Sequence, residues 1–167
     1  CCDIGTDLLP ALALGAEAPS ERTMREPPEP PSRPLLTRPL GLRTFLFFGA
    51  IEALLGLGAY FAFYVADGWR PGDSFDPFEG VSTDAATVTF LGIVGGQIGC
   101  LFAQRDGGLG KRLSLTSNRL VLWGLIFGCG LALAFVYVPG LNDRFKVAPV
   151  SVLWLGVVPV CTASFIA

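Results

Sequence analysis

Long apolar runs separated by short polar stretches dominate the chain. Thr44 to Ala66 is apolar except for Glu52, Ala85 to Ala103 carries Gln97, and Leu120 to Val138 holds no charge at all. About 20 apolar residues cross a bilayer as a helix, so each of these runs is expected to span one. Ile4 to Ala16 is apolar but too short, and is expected to be the second half of a helix whose first half precedes Cys1. Val147 to Ala167 is expected to begin a further span, again incomplete. The predicted fold is therefore an all-α integral membrane bundle of about five transmembrane helices.

Composition supports a membrane setting. The 167 residues are 51% hydrophobic and only 16% charged, with a mean hydropathy of +0.56, too apolar for an ordinary soluble domain. Net charge is −2 and there is no histidine, which excludes a broad basic surface for nucleic acid, imidazole zinc sites and His-dependent hydrolase triads. Cys1, Cys2, Cys100, Cys129 and Cys161 form no C-x-x-C pair and read as small packing residues. The opening Cys-Cys-Asp has no initiator Met, charged n-region or cleavage site, so no signal peptide is expected there and the chain reads as part of something larger.

Between the runs, charge alternates. Residues 17–42 form a Pro, Arg and Glu linker, extended and solvated; with Arg43 it carries five arginines, and the loop after the third run carries Arg105, Lys111, Arg112 and Arg119. The Asp67 to Asp84 loop has only Arg70 against five acids, and the last loop only Arg144 and Lys146. An excess of Lys and Arg marks the cytoplasmic side, so the linker and the third loop are expected inside and the other two outside, with Trp69 and Phe75 at the outer interface. Residues 43–167 then form a four-helix membrane region.

Chemistry concentrates in the opening stretch, Asp3-Ile4-Gly5-Thr6-Asp7-Leu8-Leu9-Pro10. In a helix, Asp3 and Asp7 sit at i and i+4 and share a face, so their charges repel unless a cation lies between them. Pro10 has no N–H, which frees the Thr6 carbonyl, and Gly5 eases local unwinding, so a helix break is expected over Gly5 to Pro10. Two carboxylates with the Thr6 carbonyl and hydroxyl suit a hard metal cation. The alternative is that Asp3 or Thr6-Asp7 caps a helix beginning near Leu8. Gln97 reads either as an ion ligand or as an interhelical hydrogen bond. Glu52 is a possible intramembrane acid, functional or neutral and structural.

These residues resemble a family, the C-terminal membrane region of the type II cation-transporting P-type ATPases, the class of the calcium and sodium/potassium pumps. Asp3 to Gly15 resembles its sixth transmembrane segment, Met24-Arg25-Glu26-Pro27-Pro28 the stretch that follows, and Ser117-Asn118-Arg119-Leu120 and Tyr137-Val138-Pro139-Gly140 the two ends of the ninth. The resemblance implies that Asp3, Thr6 and Asp7 are cation ligands, with Gln97 the polar ligand of the eighth segment. Calcium pumps usually carry Asn where this chain has Asp3, whereas sodium/potassium pumps carry Asp. Cys100 stands where the latter have a third carboxylate and Phe127-Gly128 where their ninth segment carries acids, so the resemblance does not extend to their extra sodium site.

The implied function is the transport region of an ATP-driven cation pump, with a transported cation (calcium, sodium, potassium or another) bound here and ATP and magnesium handled only by upstream domains. No Asp-Lys-Thr-Gly occurs in the chain, so no ATPase activity is expected of it alone and no catalytic residue is assigned. Its expected partners are the lipid bilayer and the upstream phosphorylation, nucleotide-binding and transmembrane parts of the pump, most naturally in the plasma membrane. Two other readings stand beside it: an ion- or proton-coupled secondary transporter using Asp3, Asp7 and Glu52, and a noncatalytic scaffold or truncated pump remnant.

Overall fold

The computed structural model describes residues 2–16, 34, 37–72, 80–105 and 118–166. Among them every regular element is helical: α1 (Cys2–Gly15), α2 (Arg38–Gly41), α3 (Gly49–Ala66), α4 (Gly80–Arg105), α5 (Arg119–Tyr137), the short α6 (Leu141–Phe145) and α7 (Val157–Ile166). A π-helical segment, Leu42–Phe48, joins α2 to α3, so that one continuous helix runs over Arg38–Ala66. It starts six residues earlier than the apolar pattern implies, because Pro39 occupies the first helical turn, where its missing N–H costs nothing.

Three helices among the described residues, Arg38–Ala66, Ser82–Gln104 and Arg119–Tyr137, are long and apolar enough to cross a membrane, and Val152–Phe165 is a shorter apolar helix. Phe45, Leu46, Leu54, Trp123, Ile126 and Leu153 are all exposed. Such side chains on the outside of a bundle are what a lipid solvent permits.

α4 is the central helix. It packs most extensively against α7 and α3, while α1 lies along α5 and touches α4. One apolar core joins Ala59 of α3, Val88 and Leu91 of α4 and Val136 of α5; a second joins Ala13, Leu101 and Val121. Glycine makes the close packing possible. A Cβ at Gly92 would meet Ala59 at 3.3 Å, and one at Gly95 would meet the Val158 carbonyl oxygen at 2.5 Å. The segment before α7 is tied down at the same end of α4: Thr87 Oγ1 accepts from Ala148 N at 2.9 Å, and Tyr137 Oη donates to the Val150 carbonyl at 2.8 Å. The final helix accordingly begins at Val152 as a 3₁₀ turn, five residues later than expected, since 147–151 are held by these bonds.

Asn118 joins α1 to α5. Its Oδ1 caps α5 by accepting from Leu120 N at 3.0 Å and Val121 N at 3.4 Å. Its Nδ2 donates to the Ala13 carbonyl at 3.0 Å, one of the last-turn carbonyls of α1 that a helix cannot satisfy by itself. Asn118→Ala is expected to cost about 1 to 2 kcal/mol of stability, the range for a lost N-cap, read as a lowered unfolding midpoint in a detergent titration. Asn118→Asp, which keeps the cap and loses the tether, should fall between; an Ala variant equal to wild type would refute the double role.

Candidate cation-binding site

The structure places Thr6 and Gln97, 91 residues apart in sequence, against each other across the contact of α1 with α4. Thr6 is buried, and its Oγ1 lies 3.4 Å from Gln97 Oε1, longer than the ~2.8 Å of a good hydroxyl hydrogen bond. A small, partly open space of about 10 Å³ adjoins them, walled by Pro10, Leu101, Leu125 and Cys129. That is the room one water needs, and by size the room for one small dehydrated cation.

α1 is helical throughout Cys2–Gly15, with Pro10 inside it. The break expected over Gly5 to Pro10 therefore takes the form of one forfeited hydrogen bond, because Pro10 cannot donate to the Thr6 carbonyl, and the helix does not end there. That carbonyl lies against α5: a Cβ at Gly128 would stand 3.0 Å from the Thr6 carbonyl oxygen. One turn on, a Cβ at Gly124 would stand 3.2 Å from Pro10 N. Gly124 and Gly128 thus form a trough that receives the Thr6 to Pro10 turn. The sequence marks Gly128 only as standing where sodium/potassium pumps carry an acid and does not mark Gly124, although their four-residue spacing is the small-residue pattern of close helix contacts.

Asp3 and Asp7 belong to the helical stretch of α1, one turn apart by register; their side chains lie outside the described residues. A helix starting near Leu8 with these residues as caps is not the arrangement, since α1 begins at Cys2. Glu52 is half-buried and stands elsewhere. The Cβ position of Gly96 is 3.5 Å from Glu52 Cγ and 3.9 Å from its Oε1, so successive residues of α4 face different neighbours, Gly96 toward Glu52 and Gln97 toward Thr6. Glu52, Tyr60 and Thr89 line a separate open cleft of about 900 Å³ between α3 and α4. Cys100, on the α4 turn beyond Gln97, accepts from Gln104 Nε2 at 3.1 Å. Among the described residues no three His, Cys, Asp or Glu side chains gather as a metal site. What the described atoms offer is a neutral oxygen pair and a carbonyl, beside a helical turn that carries two aspartates.

The family profile described as "Cation transporting ATPase, C-terminus" matches residues 1–167. The chain belongs to this family. Among relatives of the domain, the sodium/potassium-transporting ATPase subunit alpha-4 of Rattus norvegicus is 25% identical over 184 residues, covering 92% of this chain and 17% of that protein. The subunit alpha of Hydra vulgaris is 26% identical over 183 residues with the same coverage. The human alpha-3 subunit is 24% identical over 179 residues, covering 92% of this chain and 18% of its own length. The chain thus spans less than a fifth of the relatives it matches. As a member of the cation-transporting ATPase C-terminal family it is an integral membrane domain, helical in every regular element among the described residues.

Proposed function

We propose that this domain supplies cation ligands and a helical scaffold to an ATP-driven cation pump, with residues 1–16 as half of a cation-site helix, 17–42 as a cytoplasmic linker and 43–167 as the last four transmembrane segments. The observation that carries the reading is the meeting of Thr6 and Gln97 at a water-sized space inside the bundle. Asp3 and Asp7 supply the negative charge and Thr6 and Gln97 the neutral oxygens, the donor set preferred by hard cations. Pairs named for sodium and potassium among the relatives favour a monovalent cargo and a plasma-membrane location. ATP and magnesium act on upstream parts of the pump, where phosphorylation biases helices sharing the site between two arrangements of different affinity and access.

The test is cation-stimulated ATPase activity of the complete pump, at matched expression. Losing one neutral ligand costs on the order of 1 kcal/mol, so Thr6→Val and Gln97→Leu should each raise the cation concentration for half activation about fivefold. Thr6→Ser, which keeps the hydroxyl, should stay near wild type. Unchanged half-activation in both Thr6→Val and Gln97→Leu would remove the pair from the transport site.

A further inference from the structure

The helix over Arg38–Ala66 has 29 residues, which at 1.5 Å per residue is about 43 Å, while a hydrocarbon core takes roughly 20 residues. Its far end is fixed by sequence and packing. Asp67 caps α3, and Trp69 folds back, its amide on the Tyr64 carbonyl at 3.0 Å and its ring 6.1 Å from Phe61, as a tryptophan at an interface would. Twenty residues counted back from Ala66 reach Phe47. Arg43 then lies about 6 Å beyond the hydrocarbon edge, level with lipid phosphates, and Arg38 about 7 Å further out. Tilting the helix to bury this excess would draw a guanidinium toward hydrocarbon, which is costly.

Arg43 is held in place by rings. Its guanidinium carbon sits 5.6 Å from the Phe48 centroid, and Phe48 stacks on Phe165 of α7 with centroids 6.1 Å apart and planes 12° from parallel. Arg43 is exposed, and a guanidinium that rests on a ring keeps N–H donors for an anion, in the fork that matches a phosphate. Among the described residues no carboxylate pairs with Arg38 or Arg43. Just below, Phe45, Leu46 and Phe47 are exposed on successive sides of the helix. The turn is π-helical over Leu42–Phe48, a form found mostly in short pieces at functional positions.

We propose that Arg43, stacked on Phe48 at the junction of α3 and α7 and assisted by Arg38, binds the phosphate of an anionic phospholipid whose acyl chains lie on Phe45, Leu46 and Phe47. The charge of the site selects the lipid class, and the apolar turn below it distinguishes a lipid from a free phosphate.

The test uses the whole 167-residue chain, reconstituted with phosphatidylcholine alone or mixed with phosphatidylserine and released for native mass spectrometry, with helix content followed by circular dichroism. Wild type should retain phosphatidylserine over phosphatidylcholine. Arg43→Gln should lower that preference about fivefold, the ratio for roughly 1 kcal/mol per basic side chain near a membrane surface, and Arg38→Gln added to it should lower it again. Phe48→Leu, which keeps the charge and an apolar contact, should cause a smaller loss. Arg119, exposed at the start of α5, is the control: Arg119→Gln should leave the preference within twofold. Equal retention of the two lipids by wild type, or an equal loss in Arg119→Gln and Arg43→Gln, would overturn the site. Displacement of the lipid by millimolar inorganic phosphate would assign it to a soluble anion instead.

Discussion

Gly95→Ala is expected to pry α7 off α4 and to cost about 2 to 3 kcal/mol, the upper range for overpacking a tight contact. The added Cβ would lie 2.5 Å from the Val158 carbonyl oxygen and 3.0 Å from both Val158 Cα and Cys161 Cβ. Two of those three are backbone atoms, which no side-chain rotation can move. Retreat is also opposed, because the Thr162 hydroxyl lies 2.9 Å from the carbonyl oxygens of both Gly95 and Val158 and binds the two helices at this point. Gly99→Ala should behave alike, with a Cβ 2.7 Å from Phe165 Cβ and 2.8 Å from the Thr162 carbonyl oxygen. By contrast Thr162→Val, which removes only an interhelical hydrogen bond, should cost about 0.6 kcal/mol. Gly58 has open space where its Cβ would be, so Gly58→Ala should be neutral or slightly stabilising. Unfolding midpoints in a detergent titration would rank the four, and a Gly95→Ala midpoint equal to that of Gly58→Ala would show that the helices are not packed as described.

The apolar periodicity of the chain located its spans because lipid-facing helices must be apolar on nearly every side, a pattern visible without knowledge of partners. Their ends were less legible. α4 begins at Gly80 and not at Ala85, so residues 80–84, read as loop, are its first turn, and Thr87, inside the expected span, ties that turn down by donating to the Thr83 carbonyl at 2.9 Å. The partners of each helix were not legible at all from periodicity. Gly92, Gly95 and Gly99 recur at three- and four-residue intervals, which signals close approach on one face but not that α7 occupies it. Thr6 and Gln97 could be linked only through family resemblance, since nothing in either helix alone indicates a meeting across 91 positions. Glu52 shows the opposite case. It stands out in sequence as the only acid of its span, yet α4 lies between it and the Thr6 site, and the cleft it lines is a different one.

That separation sets the order expected of the acidic residues when cation-dependent ATPase activity is measured in the complete pump. Asp7 is adjacent in sequence to buried Thr6, on a helix wedged between α4 and α5, and Asp3 is one turn earlier. On the proposed site, two carboxylates one helical turn apart would repel each other, and a cation between them would relieve that repulsion. Removing one charge while keeping the shape should therefore act on the cation and spare the fold. With Asp7 as a ligand of the proposed site, Asp7→Asn is expected to weaken apparent cation affinity by about two orders of magnitude, the ratio for roughly 3 kcal/mol when an ion loses its charged partner. Asp3→Asn should be milder if the cargo is calcium-like, since an amide stands at the matching position of pumps for that ion, and nearly as severe if the cargo is monovalent. Glu52→Gln should change the affinity least, because no part of Glu52 borders the space between Thr6 and Gln97. Combining Asp7→Asn with Thr6→Val should cost less than the sum of the two, since ligands of one ion are coupled. Strict additivity would place Thr6 outside the site that Asp7 serves, and wild-type affinity in Asp7→Asn would leave the aspartates of α1 without a part in transport.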